Sequence, residues 1–311
     1  MEVIKDKAEI LKLQKKKNPE KRINTIFITV MLALPVIHWI IFWFIVNINS
    51  ILMAFQIPTG AWSLETMKMV FRSLGSGDSN LRVAVRNTFL YFGKDIGMLF
   101  FNLLITYFFY KKITGYKTFR IIFYMPSIVS GVAIANMFSN FITPSGPIGV
   151  ILNNLGVQEV PEFLADSRYA TNTILLYTIW LGWGGNILLL GGAFARIPIE
   201  LIEAAKMDGV TPVKEFFYVI FPLVWSTLST LLILNMTGLL GASGPILLFT
   251  PQTHETFKTT TIGYWIFAKV KWVGVTAYNE VSAAGLVFSA IAIPVIMFFK
   301  WLLERIPTVE Y

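Results

Sequence analysis

Six stretches of this sequence are apolar for about the length a helix needs to cross a bilayer, roughly 20 residues each. Charges and prolines cut them at Thr25 to Val46, Thr88 to Tyr110, Phe119 to Ile142, Thr171 to Phe194, Leu223 to Phe249 and Val281 to Leu303. A segment in contact with lipid must satisfy its backbone hydrogen bonds internally, so each run is expected to be a helix. The chain is 55% hydrophobic and 14% charged, outside the usual balance of a soluble domain. The expected fold class is therefore an all-α polytopic membrane protein with six transmembrane helices.

The net charge of +8 does not point to nucleic acid. Eight of the 26 basic residues lie between Lys5 and Arg22, immediately before the first apolar run, where they read as an orientation signal. Further cations fall in alternate connections: Lys111, Lys112, Lys117 and Arg120, then Arg196, Lys206 and Lys214, then Lys300 and Arg305 at the end of the last run. The positive-inside bias places all of these, and both termini, in the cytoplasm. The first apolar run exceeds the roughly 7–15 residues of a signal-peptide core and no small-x-small site follows it, so it is expected to be an uncleaved span. This divides the chain into a basic cytoplasmic tail, 1–24, and one transmembrane domain, 25–311. With no cysteine and two separated histidines, His38 and His254, neither disulfide, thiolate nor metal chemistry is expected. In the long connection from Asn47 to Arg86, Ser63 can start a helix with Met67, Val70, Phe71 and Leu74 at helical spacing. That helix either lies along the outer surface or packs on neighbouring spans, and Gly75 to Ser79 reads as a turn after it.

The connection 196–222 is the most informative. Pro198 can open a helix that runs to about Met207, with Ile199, Ile202 and Ala205 or Lys206 three to four residues apart. Gly209 ends it. Thr211 and Pro212 suit the cap and first position of a second short helix, and Pro222 punctuates the start of span five. The small pair Ala204 and Ala205 leaves a shallow face beside the charge of Glu203. Physically the loop is either a solvated amphipathic connection or a docking surface for another protein.

The string Glu203-Ala204-Ala205-Lys206-Met207-Asp208-Gly209, with Ile220-Phe221-Pro222 at the end of the loop, resembles the cytoplasmic motif of permease subunits of binding-protein-dependent ABC importers. Phe119 to Ser127, Trp180 to Trp183 and Ala195 to Pro198 are similar to the maltose-type, carbohydrate-importing branch, and the resemblance covers about Thr25 to Ile306, with a core of about 84–303. The chain departs from that branch at Gly241 to Pro251. The resemblance implies a type I ABC importer transmembrane fold in a bacterial plasma membrane. It implies that Glu203, Ala204, Ala205, Asp208, Gly209 and Pro222 couple the chain to an ATPase. It also implies a second permease, two ATP-binding-cassette ATPase subunits that carry ATP and Mg, and an extracytoplasmic solute-binding protein.

No Gly-rich phosphate cradle of the form G-x-x-x-x-G-K-[ST] occurs, so the chain is not expected to be an enzyme and ATP hydrolysis must come from another chain. The glycines from Gly182 to Gly192 fall within a span and read as helix-packing surface. Polar groups inside spans are costly and mark candidate pathways: Ser127, Ser130 and Asn136 in span three, Thr178, Trp183 and Asn186 in span four, Asn235 and Thr237 in span five. Amides, hydroxyls and aromatic faces are what a sugar needs, although each group alone can equally be an interhelical hydrogen bond. By the resemblance, Ser127, Gly131, Thr178, Gly182 and Gly185 face a central cavity. Lys94 in span two is expected to snorkel to the outer interface and Asp95 to pair with a neighbouring helix. An ion-coupled carrier would need several mid-depth carboxylates, and Asp95 is the one the sequence offers in spans two to six.

Overall fold

A computed structural model describes residues 19–306 apart from 77–79 and 242. Most of the basic tail 1–24, and the 77–79 part of the Gly75 to Ser79 turn, lie outside the described residues. The described chain is helical almost throughout. The first helix, α1 (Pro19–Trp39), passes through a π-helical segment, Ile40–Ile45, into α2 (Val46–Ala54). Then follow α3 (Glu65–Gly75), α4 (Asn80–Tyr110), α5 (Tyr116–Ile128), α6 (Gly131–Ile142) and α7 (Pro147–Asn154). The second half contains α8 (Ala170–Leu181), α9 (Trp183–Phe194), α10 (Ile199–Met207), α11 (Pro212–Glu215), α12 (Phe221–Thr237), α13 (Gly244–Phe249), α14 (Ile262–Ala268) and α15 (Tyr278–Glu304).

Five helical stretches are long and apolar enough to cross a membrane: Ile23–Ala54, Asn80–Tyr110, Ala170–Phe194, Pro212–Thr237 and Ile262–Glu304. The expected third span is present but is not one rod. It stops at Ile128, and α5 and the α6–α7 stretch meet at 104°. Pro126 has no N–H to give to the preceding turn, which weakens the helix just before it ends. Val129 (ψ 149°) and Ser130 (ψ 127°) are extended, and Gly131 restarts the helix. Counted as one bent crossing, this pair makes six.

Two other spans differ from the uniform rods the apolar runs suggested. Span five ends at Thr237, passes through a 3₁₀ turn, Leu239–Gly241, and resumes as the separate α13, within the stretch where the motif pattern departs. Span four carries a single-residue turn at Gly182, between α8 and α9, where the Gly182 N–H still bonds the Thr178 carbonyl at 3.0 Å and the span runs on. Pro222, conversely, is no boundary. The helix from Pro212 runs through a π-helical segment, Phe216–Ile220, directly into α12. A widened turn immediately before Pro222 gives room to a residue that cannot donate backward along an α-helix.

Two packed centres hold the bundle. At the end that carries the 196–222 loop, Leu99, Leu103 and Tyr107 of α4 meet Leu190 and Phe194 of α9, Ile202 of α10 and Leu228 of α12. At the other end, Ala54, Val70 of α3, Leu81 and Ala84 of α4, Trp265 of α14 and Ala284 of α15 form the second. The Ser63 hydroxyl accepts from Glu65 N–H at 3.1 Å, starting α3 as the sequence suggested. Val70 is buried and Met67 and Leu74 pack on the second centre, so α3 is a packed element with Phe71 left outside. The apolar side chains of α1 stay exposed from Ile23 to Trp39, an arrangement stable only in lipid or against another subunit.

Candidate functional site

The 196–222 loop is built as its residues dictate. Pro198, extended at ψ 133°, sits ahead of α10. Gly209 terminates it in the left-handed conformation, φ +69°. There the N–H of Val210 reaches back to the Ala205 carbonyl at 3.1 Å and that of Gly209 to the Lys206 carbonyl at 3.0 Å, the two bonds of a Schellman cap. Ile197 and Ile202 anchor the loop in the first packed centre. Glu203, Ala204, Asp208 and Gly209 are exposed, and Met207 is 87% exposed. The expected pair of small residues on one face is not what α10 presents. Ala205 is buried and turned inward with Ile202 while Ala204 faces out, because consecutive helical positions diverge by about 100°.

A contact that charge counting could not reveal fixes this loop to the bundle. Glu215, at the end of α11, is buried, and its Oε2 accepts from Lys111 Nζ at 2.7 Å. Lys111 follows α4, and one turn earlier the Tyr107 hydroxyl donates to the Pro212 carbonyl at 3.1 Å. Lys111 also lies 5.7 Å from the Tyr107 ring centroid. The Lys111–Gly115 connection and the 196–222 loop therefore share one end of the molecule. The far end of α15 joins them there, since Trp225 Nε1 donates to the Leu303 carbonyl at 3.4 Å.

The candidate path residues separate into groups. Ser127 and Trp183 lie at one α5–α9 contact: a Cβ on Gly184 would come within 2.2 Å of Ser127 Oγ, and Trp183 stacks on Phe123 at 4.4 Å. Thr178 turns its hydroxyl to its own helix, donating to the Leu175 carbonyl at 2.7 Å. Gly131 and Asn136 are exposed, as are Gly182 and Gly185, and Asn186 is half-buried. Asn235, near the end of α12, has a buried Nδ2 with no partner among the described residues, as does the Trp183 indole N–H. Unpartnered buried donors are scarce in folded proteins and carry a desolvation cost, so these two are the path candidates with unmet hydrogen-bonding capacity.

Other groups escaped sequence reasoning. Asn102, fully buried in α4, has both amide atoms unpaired. Phe138, Tyr177, Trp180 and Phe249 form one aromatic cluster across α6, α8 and α13, Tyr177 and Phe249 meeting edge to face at 4.8 Å. Lys94 does not snorkel outward. Its side chain is 11% exposed and pairs with Asp95, which is 43% exposed. The cause is that α4 begins at Asn80, not Thr88, so Lys94 lies midway along a 31-residue helix.

At the end opposite the loop, Asn87 of α4 donates to the carbonyls of Lys258 (2.7 Å) and Thr260 (2.9 Å), pinning the 250–261 connection. His254 is buried there, hydrogen-bonded to Thr260 and edge-on to Tyr264 at 5.0 Å. Burial pushes the His254 imidazole below its ordinary 6.5, against an opposing pull from Glu255. On the exposed connection before α8, hydrogen bonds from Arg168 hold the Asp166 carboxyl below its usual range.

The family model described as the binding-protein-dependent transport system inner membrane component matches residues 100–307. "Probable ABC transporter permease protein YesP" of Bacillus subtilis (strain 168) is 28% identical over 156 residues, 50% of each chain. The maltodextrin transport system permease protein MdxF of the same organism is 27% identical over 132 residues, 40% of this chain and 30% of the relative. The chain thus spans half or less of the length of these two relatives. Among solved structures, a chain from a bacterial alginate ABC transporter in complex with an alginate pentasaccharide-bound periplasmic protein superposes with a TM-score of 0.77. It is 22% identical, and the superposition covers 92% of this chain and 97% of that one, which establishes a shared fold.

Proposed function

Since the chain belongs to the binding-protein-dependent transport system inner membrane components, we propose that it is the permease subunit of an ATP-driven importer that passes a carbohydrate, an oligosaccharide by the similarity to MdxF. In this reading residues 25–311 form the permease domain and 1–24 its cytoplasmic tail. A second permease of different sequence completes the path. Two ATPase subunits supply ATP and Mg from the cytoplasm, and an extracytoplasmic binding protein delivers the solute.

The observation that carries the reading is the form of the 196–222 loop. Ile197 and Ile202 are locked into the packed centre shared by α4, α9 and α12 and Ala205 is buried, while Glu203, Ala204 and Met207 stand exposed on a helix closed by Gly209. A contact made by a partner at Glu203 therefore displaces several spans together. When the ATPases close, the loops of the two permeases are drawn towards each other and the spans rock to open the path outward, which is alternating access. Ser127, Gly131, Asn136, Thr178, Gly182, Trp183, Asn186 and Asn235 are the positions assigned to that path. Asn235 and Trp183 are favoured by their unpartnered donors.

Charge reversal at Glu203 (Glu203→Lys) or a bulky residue at Gly209 is expected to abolish solute-stimulated ATP hydrolysis and uptake in the assembled importer. Normal rates in both variants would sink the coupling assignment. An ion-coupled carrier is disfavoured by the pairing of Asp95 with Lys94. Uptake that persists with an ATPase-dead partner would reinstate it.

A further inference from the structure

A cavity of about 230 Å³ opens between α4, α5 and α9 at the end that carries the 196–222 loop. Its lining includes the cations Lys112 and Arg120, Thr106 and the tyrosines Tyr110, Tyr116 and Tyr124. Tyr116, Arg120 and Tyr124 recur every four residues, which puts them on one face of α5. Gly191 of α9 forms part of the wall, and a Cβ there would meet nothing within 4 Å, so the space extends to that helix. Neither Lys112 nor Arg120 makes an ion pair with any described residue.

The backbone holds one of these cations in a costly place. Lys112 adopts φ +52°. Its N–H bonds the Phe109 carbonyl at 3.1 Å and that of Ile113 bonds the Phe108 carbonyl at 3.4 Å, so a lysine occupies the capping position where glycine is the usual occupant. An ammonium kept at a strained position beside an unpaired guanidinium calls for an anion. The neighbouring N-terminus of α5 has no side-chain cap and adds its own favourable field for negative charge.

What surrounds the cavity decides the kind of anion. On α5 the residues to either side of Arg120, Phe119 and Ile121, lie about 100° round the helix from the cavity face, and both are exposed. A free anion has no use for such a border, whereas acyl chains do. Tyrosines at the end of a span sit where headgroups lie, and basic pockets between spans on the cytoplasmic side suit acidic headgroups. We propose that this cavity binds the headgroup of an anionic phospholipid, with the acyl chains in the lipid beside Phe119 and Ile121. The inference rests on the proposed orientation, with this end of the bundle at the cytoplasmic face, and is independent of which solute is carried.

The test uses the complete importer extracted from membranes, with the bound phospholipid counted by native mass spectrometry and the affinity measured in nanodiscs of phosphatidylglycerol and phosphatidylcholine. Each cation near a headgroup is worth about fivefold in affinity, so Lys112→Gln with Arg120→Gln should weaken phosphatidylglycerol retention about 25-fold. Lys117→Gln, an exposed cation outside the cavity lining, should leave retention unchanged. Arg120→Gln alone, at an exposed residue, serves if the double variant fails to assemble and should cost about fivefold. Retention unaltered by these substitutions would overturn the proposal. So would equal retention of phosphatidylcholine, or displacement by inorganic phosphate, which would identify a soluble anion as the occupant. Loss of the ATPase subunits with lipid content intact would reassign the cations to a protein contact and overturn it too.

Discussion

Replacing Lys111 by methionine tests how the loop is fastened. The Glu215 side chain is 3% exposed and that of Lys111 24%. Loss of the lysine therefore strands a carboxylate that cannot reach water, which costs about 3–5 kcal/mol when one partner of a buried pair is removed. Loss of the carboxylate, Glu215→Met, leaves an ammonium that can still turn toward solvent, and the cost falls to about 1–3 kcal/mol. The double variant, with two apolar side chains of similar length, should recover most of the stability, since apolar replacements of a buried pair are often neutral. Thermal unfolding of the purified assembly, read as a double-mutant cycle, measures the three changes. The expected order is Lys111→Met worst, Glu215→Met intermediate and the double variant best. If Lys111→Met costs only the 0–1 kcal/mol typical of a surface pair, or the double variant is as damaged as the worse single one, the pair does not fasten the loop.

Two more outcomes follow from the geometry. Gly184→Ala should weaken the α5–α9 contact, because its Cβ would fall 2.2 Å from Ser127 Oγ and 2.9 Å from Ser127 Cβ. Adding Ser127→Gly should relieve it, and a differential scanning measurement in which Ser127→Gly brings no recovery would contradict the packing described. Burial holds the His254 pKa below 6.5 in the folded state, so at pH values under 6.5 the unfolded chain binds more protons and stability falls as pH is lowered through that value. Protection factors for hydrogen exchange in the 250–261 connection, corrected for the intrinsic pH dependence of exchange, should fall between pH 7 and 5 in the native chain and stay flat in His254→Gln; an equal fall in both would assign the effect elsewhere.

The spans were legible because a bilayer imposes a length and a polarity on any helix that crosses it, and that constraint is local. The α10 helix and its Gly209 stop were legible for the same reason, since caps are written within a few residues. The bends were not. Pro126 is visible, but whether a proline kinks, breaks or is absorbed depends on neighbours: it precedes a break at Ile128, while Pro222 is accommodated by a π-helical turn. Ala204 and Ala205 look equivalent in the sequence and diverge once Ile202 is packed. Lys111 reads as a loop charge in the sequence, and Glu215 lies 104 positions away, so only the folded chain brings the two together.

The placement of continuous and interrupted helices gives the molecule a mechanical direction. Around the loop, α4, α9, α10 and α12 share one packed centre, reinforced by Lys111–Glu215 and Tyr107–Pro212. Away from it, neighbouring and shared spans lose continuity at Ser130 and after Thr237, and the donors of Trp183 and Asn235 remain unpartnered. A block packed at close to crystalline density transmits displacement without absorbing it. An interrupted helix absorbs it, because a break in the backbone ladder lets its two halves turn separately. On the proposed reading, a push applied at Glu203 would then move the packed end as a unit and be expressed as rotation at the breaks.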